Sequence, residues 1–279
     1  MNQQSIIRFI INGLAVVAPM ISVRLCYRLW ISTSRRKKPM KELPVDQSAC
    51  KKVFIINKSK VMTYTWNIAE GKPIVLLLHG WNGRGTQMHQ IIDALLSYDF
   101  GVVSFDAVGH GESEGKSTNL IEYVEIIQAI EKEYGDLYAM IGHSFGFMAA
   151  VNAINQGVKC KKLVSIGAPA EFHLLLKYFS SYLGLSVKAT DLLEKFVIHK
   201  FGISSFDEIS TTGIAPAMRI PLLLIHDKND DRVPLSQSLQ VEKLWPGAKL
   251  HETGQLGHVR ILVDKHVIDK CLSFVREES

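Results

Sequence analysis

The sequence predicts an α/β protein built on a doubly wound, mostly parallel sheet with an inserted helical cap, and three observations carry that expectation. Short apolar runs at residues 74–78, 102–105, 138–141, 163–166 and 222–225 have the length and continuity of strands buried on both faces. Segments with helical apolar spacing lie between them, which is the alternation of repeated βαβ units. The last two runs are separated by residues 170–219, which keep helical spacing and show no strand signal, as an inserted cap would.

Composition bounds the reading. A chain of 279 residues, 47% apolar and 21% charged, is ordinary globular material with length enough for one large domain and additions. Disorder is excluded. The formal charge of +5 is concentrated in Arg35, Arg36, Lys37 and Lys38, with Arg24 and Arg28 just before them. No nucleic-acid motif or aromatic-interleaved basic surface accompanies that run, so nucleic acid is not an expected partner, and a membrane surface suits the cluster better. Cys26, Cys50, Cys160 and Cys271 are too widely spaced for a zinc site or a legible disulfide framework. A reducing compartment fits them.

Residues 1–44 read as a first unit. Residues 6–23 are almost wholly apolar, interrupted only by Arg8, Asn12, Pro19 and Ser22, a marginal length for a membrane span. On a helical wheel Ser5, Arg8, Asn12, Ala15, Pro19 and Ser22 share one narrow stripe, leaving a wide apolar face. That pattern suits an interfacial or tilted helix, or else a helix packed on the core. A linker rich in Lys and Pro follows at residues 35–44, and the main domain is expected over residues 45–279 with its cap at about 170–219. It should open with a hairpin, residues 53–56 and 62–68 around Asn57-Lys58-Ser59-Lys60, and its last strand should lie at residues 248–252.

Four stretches carry chemistry. Gly142-His143-Ser144-Phe145-Gly146 joins the strand at 138–141 to a helix expected at 147–155, and a turn that tight needs small flanking residues and thrusts its serine into the open at a helix N-terminus. Ser144 is thus the candidate nucleophile. His79-Gly80-Trp81-Asn82 closes the first long buried strand, where a glycine lets backbone approach a substrate. The expected oxyanion donors are the backbone N–H groups of Trp81 and Phe145, although a plain tight turn would look the same. Beyond the strand at 222–225, three aspartates compete for the acid, with Asp230 preferred for its Asp-x-x-Val-Pro spacing, Asp231 second and Asp227 third. His258 alone among ten histidines follows that acid in a strand-end loop, and neutral imidazole can take a serine proton near neutral pH.

The order Ser144, Asp230, His258 and the motifs around it resemble the α/β-hydrolase superfamily, in particular small bacterial-type members with His-Gly near the start and Leu-Gly-His-x-x-Ile-Leu near the end. The resemblance covers about residues 53–277. Phe105-Asp106-x-x-Gly109-His110-Gly111-x-Ser113 is similar to a loop that is structural in that superfamily, so Asp106, His110 and Ser113 read as scaffold. The resemblance implies hydrolysis of a carboxylic ester or related acyl bond of a small-molecule substrate through an acyl-enzyme, with no metal or organic cofactor. Acyl transfer, thioester cleavage and amide cleavage suit the same fold. A non-catalytic binding protein of this fold would lack a triad member, and none is lacking here. Phe172, Leu175, Phe179 and Leu183 recur at helical spacing in the cap, where they pack or touch the acyl group. The catalytic domain is expected in the cytoplasm, held to a membrane through residues 1–38 because basic flanks mark that side.

Overall fold

The computed structural model describes residues 3–277. Two helices come first, α1 (Gln3–Val17) and α2 (Pro19–Trp30), broken where Pro19 lacks the N–H that an uninterrupted helix needs and instead begins the second helix. After α3 (Leu43–Ser48) come β1 (Cys50–Ile56) and β2 (Ser59–Trp66), an edge hairpin turned by Asn57 and Lys58 at φ 47° and 69°, the left-handed pair that matches strand twist. The alternating part runs β3 (Ile74–Leu78), α4 (His89–Leu96), β4 (Gly101–Phe105), α5 (Leu120–Tyr134), β5 (Leu137–His143), α6 (Phe145–Asn155) and β6 (Cys160–Ile166). The cap follows as α7 (Phe172–Leu183), α8 (Val187–Phe201) and α9 (Thr211–Ile214). The chain then returns through β7 (Leu222–Asp227), α10 (Ser236–Leu244), β8 (Lys249–Thr253), α11 (Gly257–Arg260) and α12 (Lys265–Arg276).

Among the described residues eight strands form one sheet in the order β1-β2-β4-β3-β5-β6-β7-β8. The pairs β1–β2 and β2–β4 are antiparallel and all others parallel. Alternate residues of the central strands go to opposite cores: Leu76, Leu78, Val103 and Met140 pack beneath α5, α6 and the cap, while Val75, Leu77, Val102 and Ile141 pack with residues of α4 and α12. Burial on both faces is why those strands read as unbroken apolar runs. The strand order reverses at β3, with β4 on one side and β5 on the other, so the C-terminal ends of β3 and β5 border the crevice where open α/β sheets bind ligands.

The N-terminal segment is part of this body rather than an appendage. Helices α1 and α2 pack on each other and on α8, and α1 also touches α7. Ile11, Ala15, Val23, Cys26 and Tyr27 are buried in the same core as Leu176, Leu193 and Val197 of the cap. Asn12, expected on a polar face, is turned inward because its amide closes the turn between α7 and α8, donating to the Gly184 carbonyl at 3.1 Å and accepting from the Ser186 N–H at 2.8 Å. Ser22 likewise donates to the Ile11 carbonyl at 2.9 Å. The apolar side, with Phe9 at 74% and Val17 at 80% relative exposure, is left facing outward. No described helix is long and apolar enough to cross a membrane.

Nor do residues 35–44 hang free as a linker. Thr33 donates its hydroxyl to the Gly109 carbonyl at 2.8 Å, Arg35 donates to the Gly115 carbonyl at 3.0 Å, and Lys38 pairs with Asp46 and with Glu112. Buried packing of α1 on the cap sets a clear expectation for stability. Ile11→Ala should cost about 2–4 kcal/mol in urea unfolding, against less than about 0.5 kcal/mol for the exposed Phe9→Ala. Equal, small losses for both would mean that α1 is not docked.

Candidate active site

Strand β5 ends at His143 and α6 begins at Phe145, so Ser144 alone makes the turn, at φ 52° and ψ −123°. A positive φ is uncommon outside glycine and costs about 1–3 kcal/mol, which the surrounding packing must impose. Two positions must stay without side chains for it to close. A Cβ at Gly142 would stand 2.5 Å from Phe147 Cα, and one at Gly146 would stand 2.4 Å from the Leu78 carbonyl oxygen. Ser144 N–H donates to the Ile166 carbonyl at 3.0 Å, tying the turn to the neighbouring strand. The helix expected from residue 147 therefore starts two residues earlier, directly at the serine.

Of the three competing aspartates the structure brings Asp230 to His258 and holds the other two apart from it. His258 Nδ1 lies 2.7 Å from Asp230 Oδ2, while Asp230 Oδ1 accepts the N–H groups of Arg232 and Val233, each at 2.9 Å. Burial pushes the Asp230 carboxyl up, but the bonds from His258 and the two backbone N–H groups outweigh it and hold it below the ordinary carboxylate range. Asp231 is exposed. Asp227 is spent on structure, accepting from Asn229 N–H at 2.9 Å, Thr253 hydroxyl at 2.8 Å and Leu256 N–H at 3.0 Å. Ser144 and His258 line one cleft. Among the described residues no hydrogen bond joins the Ser144 hydroxyl to the imidazole; in ligand-free sites such bonds are commonly long and tighten when substrate binds.

Two further histidines, which the sequence reading did not single out, support that imidazole. His143 is buried against it with ring centres 4.8 Å apart, and its Nε2–H donates to the His258 carbonyl at 2.9 Å. Burial, then the neighbouring His258, pull the His143 pKa down to about 3, so it stays neutral and does not compete for the proton. His226 lies behind Asp230 at 3.8 Å, held by Ser238 at 2.7 Å and by the Val233 carbonyl at 2.9 Å. The only local signal for His143 was its place between Gly142 and Ser144.

The N–H groups of Trp81 and Phe145 take part in no hydrogen bond among the described residues, which leaves both available to an oxyanion. The loop that carries Trp81 is fixed from beneath: Asn82 N–H donates to His110 Nε2 at 3.0 Å, Ala107 N–H to His79 Nε2 at 3.0 Å, and Tyr123 hydroxyl to the His79 carbonyl at 2.7 Å. Asp106 accepts from Gly85 N–H, Glu112 N–H and Tyr64 hydroxyl, all at 2.7 Å, and Ser113 donates to the Asp106 carbonyl at 2.5 Å. Asp106, His110 and Ser113 accordingly sit as loop ties.

Ser144 and Trp81 separate two cavities of opposite character. One, about 240 Å³, is apolar and lined by Trp30, Leu120, Phe172, Leu175, Phe179 and Phe201, among others. The other, about 260 Å³, is polar and includes Arg36, Lys37, Arg232, His143 and His258. Three of the four spaced cap residues thus face the apolar cavity, while Leu183 lies in the core cluster shared with α1 and α8. Trp30 and Ile31 arrive from α2 and its end, a contribution that nothing in the local pattern foretold. Among the described residues there is no group of His, Cys, Asp and Glu arranged to hold a metal ion.

Comparisons with known proteins agree on the architecture. A family model described as the alpha/beta hydrolase fold matches residues 73–193. Over 111 residues the chain is 30% identical to a pimeloyl-[acyl-carrier protein] methyl ester esterase of Vibrio atlanticus, a match spanning 39% of this chain and 42% of that relative. The chain thus covers less than half of the relative's length. Among solved structures, the ferulic acid complex of Est1E from Butyrivibrio proteoclasticus is similar at 18% identity and TM-score 0.63, covering 81% of this chain and 100% of that one. The alpha/beta hydrolase domain-containing protein 10 from mouse is similar at 19% identity and TM-score 0.62 (81% and 96%), and the thioesterase domain from the curacin biosynthetic pathway at 16% and 0.60 (82% and 99%). At these identities the structural likeness is one of fold.

Proposed function

We propose that the chain, which has the α/β-hydrolase fold, is a member of that superfamily and a serine hydrolase that cleaves a carboxylic ester through an acyl-enzyme. The observation that carries the reading is the Asp230–His258 hydrogen bond of 2.7 Å on the same cleft as a strained serine flanked by two unengaged N–H groups. The Ser144 hydroxyl turns to His258 Nε2 and gives it a proton as Oγ attacks the acyl carbon. The oxyanion that forms is held by the N–H groups of Trp81 and Phe145, donors aimed where charge appears. Collapse breaks the ester bond, and His258 returns the proton to the departing alcohol. Water then loses a proton to His258, attacks the acyl-enzyme, and releases the acid while Ser144 recovers its proton. Asp230, held ionised, keeps the Nδ1–H tautomer and stabilises the imidazolium. The same arrangement suits a thioester, an amide or an acceptor other than water, which differ only in the leaving or attacking group.

Ser144→Ala should lower turnover of a short nitrophenyl ester by at least about a thousandfold and abolish labelling by a fluorophosphonate. Asp230→Asn should cost far more turnover than Asp231→Asn. An alanine variant that keeps more than about a tenth of the wild-type rate rules out the covalent mechanism, and a larger loss at Asp231 than at Asp230 rules out the assigned acid.

The apolar cavity is the natural receptacle for the acyl chain, since its lining offers rings and aliphatic groups rather than charges. Trp30 is a bulky wall whose removal lengthens the space. Trp30→Ala should therefore shift the kcat/KM optimum toward longer acyl chains, whereas Leu183→Ala should change stability and leave the chain-length profile alone. An unchanged profile for Trp30→Ala would place the chain elsewhere.

The outward face of α1 and α2 supports peripheral association with an anionic lipid surface, with the helices lying in the interface rather than crossing it. Ile6, Phe9, Ile10, Val16, Val17, Met20 and Ile21 are exposed there, and Arg24 and Arg28, exposed further along α2, form no ion pair among the described residues. Residues 35–38 do not add to this surface, because Arg35 and Lys38 are tied to the catalytic domain and Arg36 and Lys37 line the polar cavity. The protein should co-sediment with phosphatidylglycerol vesicles at low salt, and Phe9→Ser with Val17→Ser should release it. Wild-type protein left wholly in the supernatant would end the idea.

A further inference from the structure

The basic run at residues 35–38 takes no part in the chemistry above, yet its placement is specific. The chain there is strapped down at both ends. Ser32 bridges to Ser117, Thr33 N–H donates to the Lys116 carbonyl at 3.0 Å, and Ser34 N–H donates to Asn82 Oδ1 at 2.8 Å. Arg35 is drawn to the Ser113 and Gly115 carbonyls, and Lys38 to Asp46 and Glu112. Between these ties Arg36 and Lys37 are held over the polar cavity that contains Ser144 and His258.

The charge balance of that cavity is one-sided. Arg36, Lys37, Arg84 and Arg232 line it, and no aspartate or glutamate does. Arg84 is neutralised by a two-pronged bond to Glu42, 2.5 Å at each contact, but Arg36, Lys37 and Arg232 enter no ion pair among the described residues. Asp231, next to Arg232 in sequence, is not part of the lining. Arg36, Lys37 and Arg232 are themselves exposed, but three uncompensated cations gathered around one concave site attract an anion more than isolated surface charges do.

The catalytic geometry says which end of the substrate meets them. His258 borders the polar cavity and not the apolar one, and it is His258 that must hand a proton to the departing group. The acyl chain therefore points toward Trp30 and Phe179, and the leaving group lies among the cations. We propose that Arg36, Lys37 and Arg232 form an anion subsite for the leaving group, so that the preferred substrate is an acyl ester or thioester whose alcohol or thiol carries a phosphate. This rests on the serine-hydrolase reading. Hydrolysis breaks the acyl C–O or C–S bond, sends the His258 proton to that oxygen or sulfur, and leaves the phosphate untouched.

The test compares three substrates with the same acyl chain: a neutral monoacylglycerol, the corresponding lysophosphatidic acid, and the acyl coenzyme A. Wild-type kcat/KM should favour at least one phosphate-bearing substrate over the neutral one by about tenfold or more, and that ratio should fall by about tenfold in Arg36→Gln/Lys37→Gln and in Arg232→Gln, as loss of charge-assisted contacts predicts. Preference for lysophosphatidic acid identifies a lipid source, and preference for the thioester identifies a carrier-thiol source; both support the subsite. Wild-type turnover of the neutral ester with a ratio that is the same in the variants overturns the subsite and leaves the hydrolase reading intact. Absence of turnover on all three, with no fluorophosphonate labelling, overturns both.

Discussion

Everything at this site depends on a turn made by one residue. Because β5 passes into α6 through Ser144 alone, the side chain has nowhere to go but into the crevice, and the Phe145 N–H is freed at the start of a helix. The same turn dictates its neighbours. Gly146 lies against the Leu78 and His79 carbonyls, and a Cβ at Gly80 would come 2.9 Å from Ser144 Cβ. The end of β3 and the end of β5 are thus in contact with no room for side chains between them. The left-handed backbone at Ser144 is tolerable because the sheet and α6, both buried, leave no alternative path.

The other two residues of the candidate triad are delivered by the far side of the sheet. Asp230 stands just beyond β7, and His258 lies in α11 just after β8, so their meeting requires those parallel neighbours to end at the same level. Asp227 secures this by gathering bonds from Asn229, Thr253 and Leu256, which clamps the two loops together. Its carboxylate is spent, and that is why it cannot also serve the imidazole. His143 then closes the stack beneath His258 as a neutral, buried ring.

The N-terminal segment shows how one stretch can serve several purposes. Two of its polar groups are turned inward, where Asn12 caps the turn between α7 and α8 and Ser22 binds the Ile11 carbonyl, and its apolar residues are divided between the core and the outside. Its end supplies a wall of the apolar cavity through Trp30, which packs edge to face on Phe172 with ring centres 5.6 Å apart. The strap that follows borders the opposite, polar cavity. Ser144 consequently sits between an apolar and a cationic chamber, and residues 30–37 help to build both.

What the sequence determined by itself is what short-range sterics and periodicity control. Unbroken apolar runs announced strands with two buried faces, helical spacing announced the cap, and paired glycines two residues either side of Ser144 announced a turn that only a strand–helix junction needs. The order of Ser144, Asp230 and His258 and the scaffold reading of Asp106, His110 and Ser113 rested instead on resemblance to the α/β-hydrolases. Tertiary structure decided the rest. Asp227, Asp230 and Asp231 lie within five residues and differ only in which one a loop distant in sequence brings beside His258. The wheel of α1 was legible, but not that Asn12 would turn toward the cap, because partial burial of its amide is favourable only where the Gly184 carbonyl and Ser186 N–H await it. The fate of the basic run was hidden likewise. Charge is a local property of the chain, whereas whether it faces a lipid surface or a catalytic cleft is settled by where Asn82, Ser113, Asp46 and Glu112 stand to receive the strap.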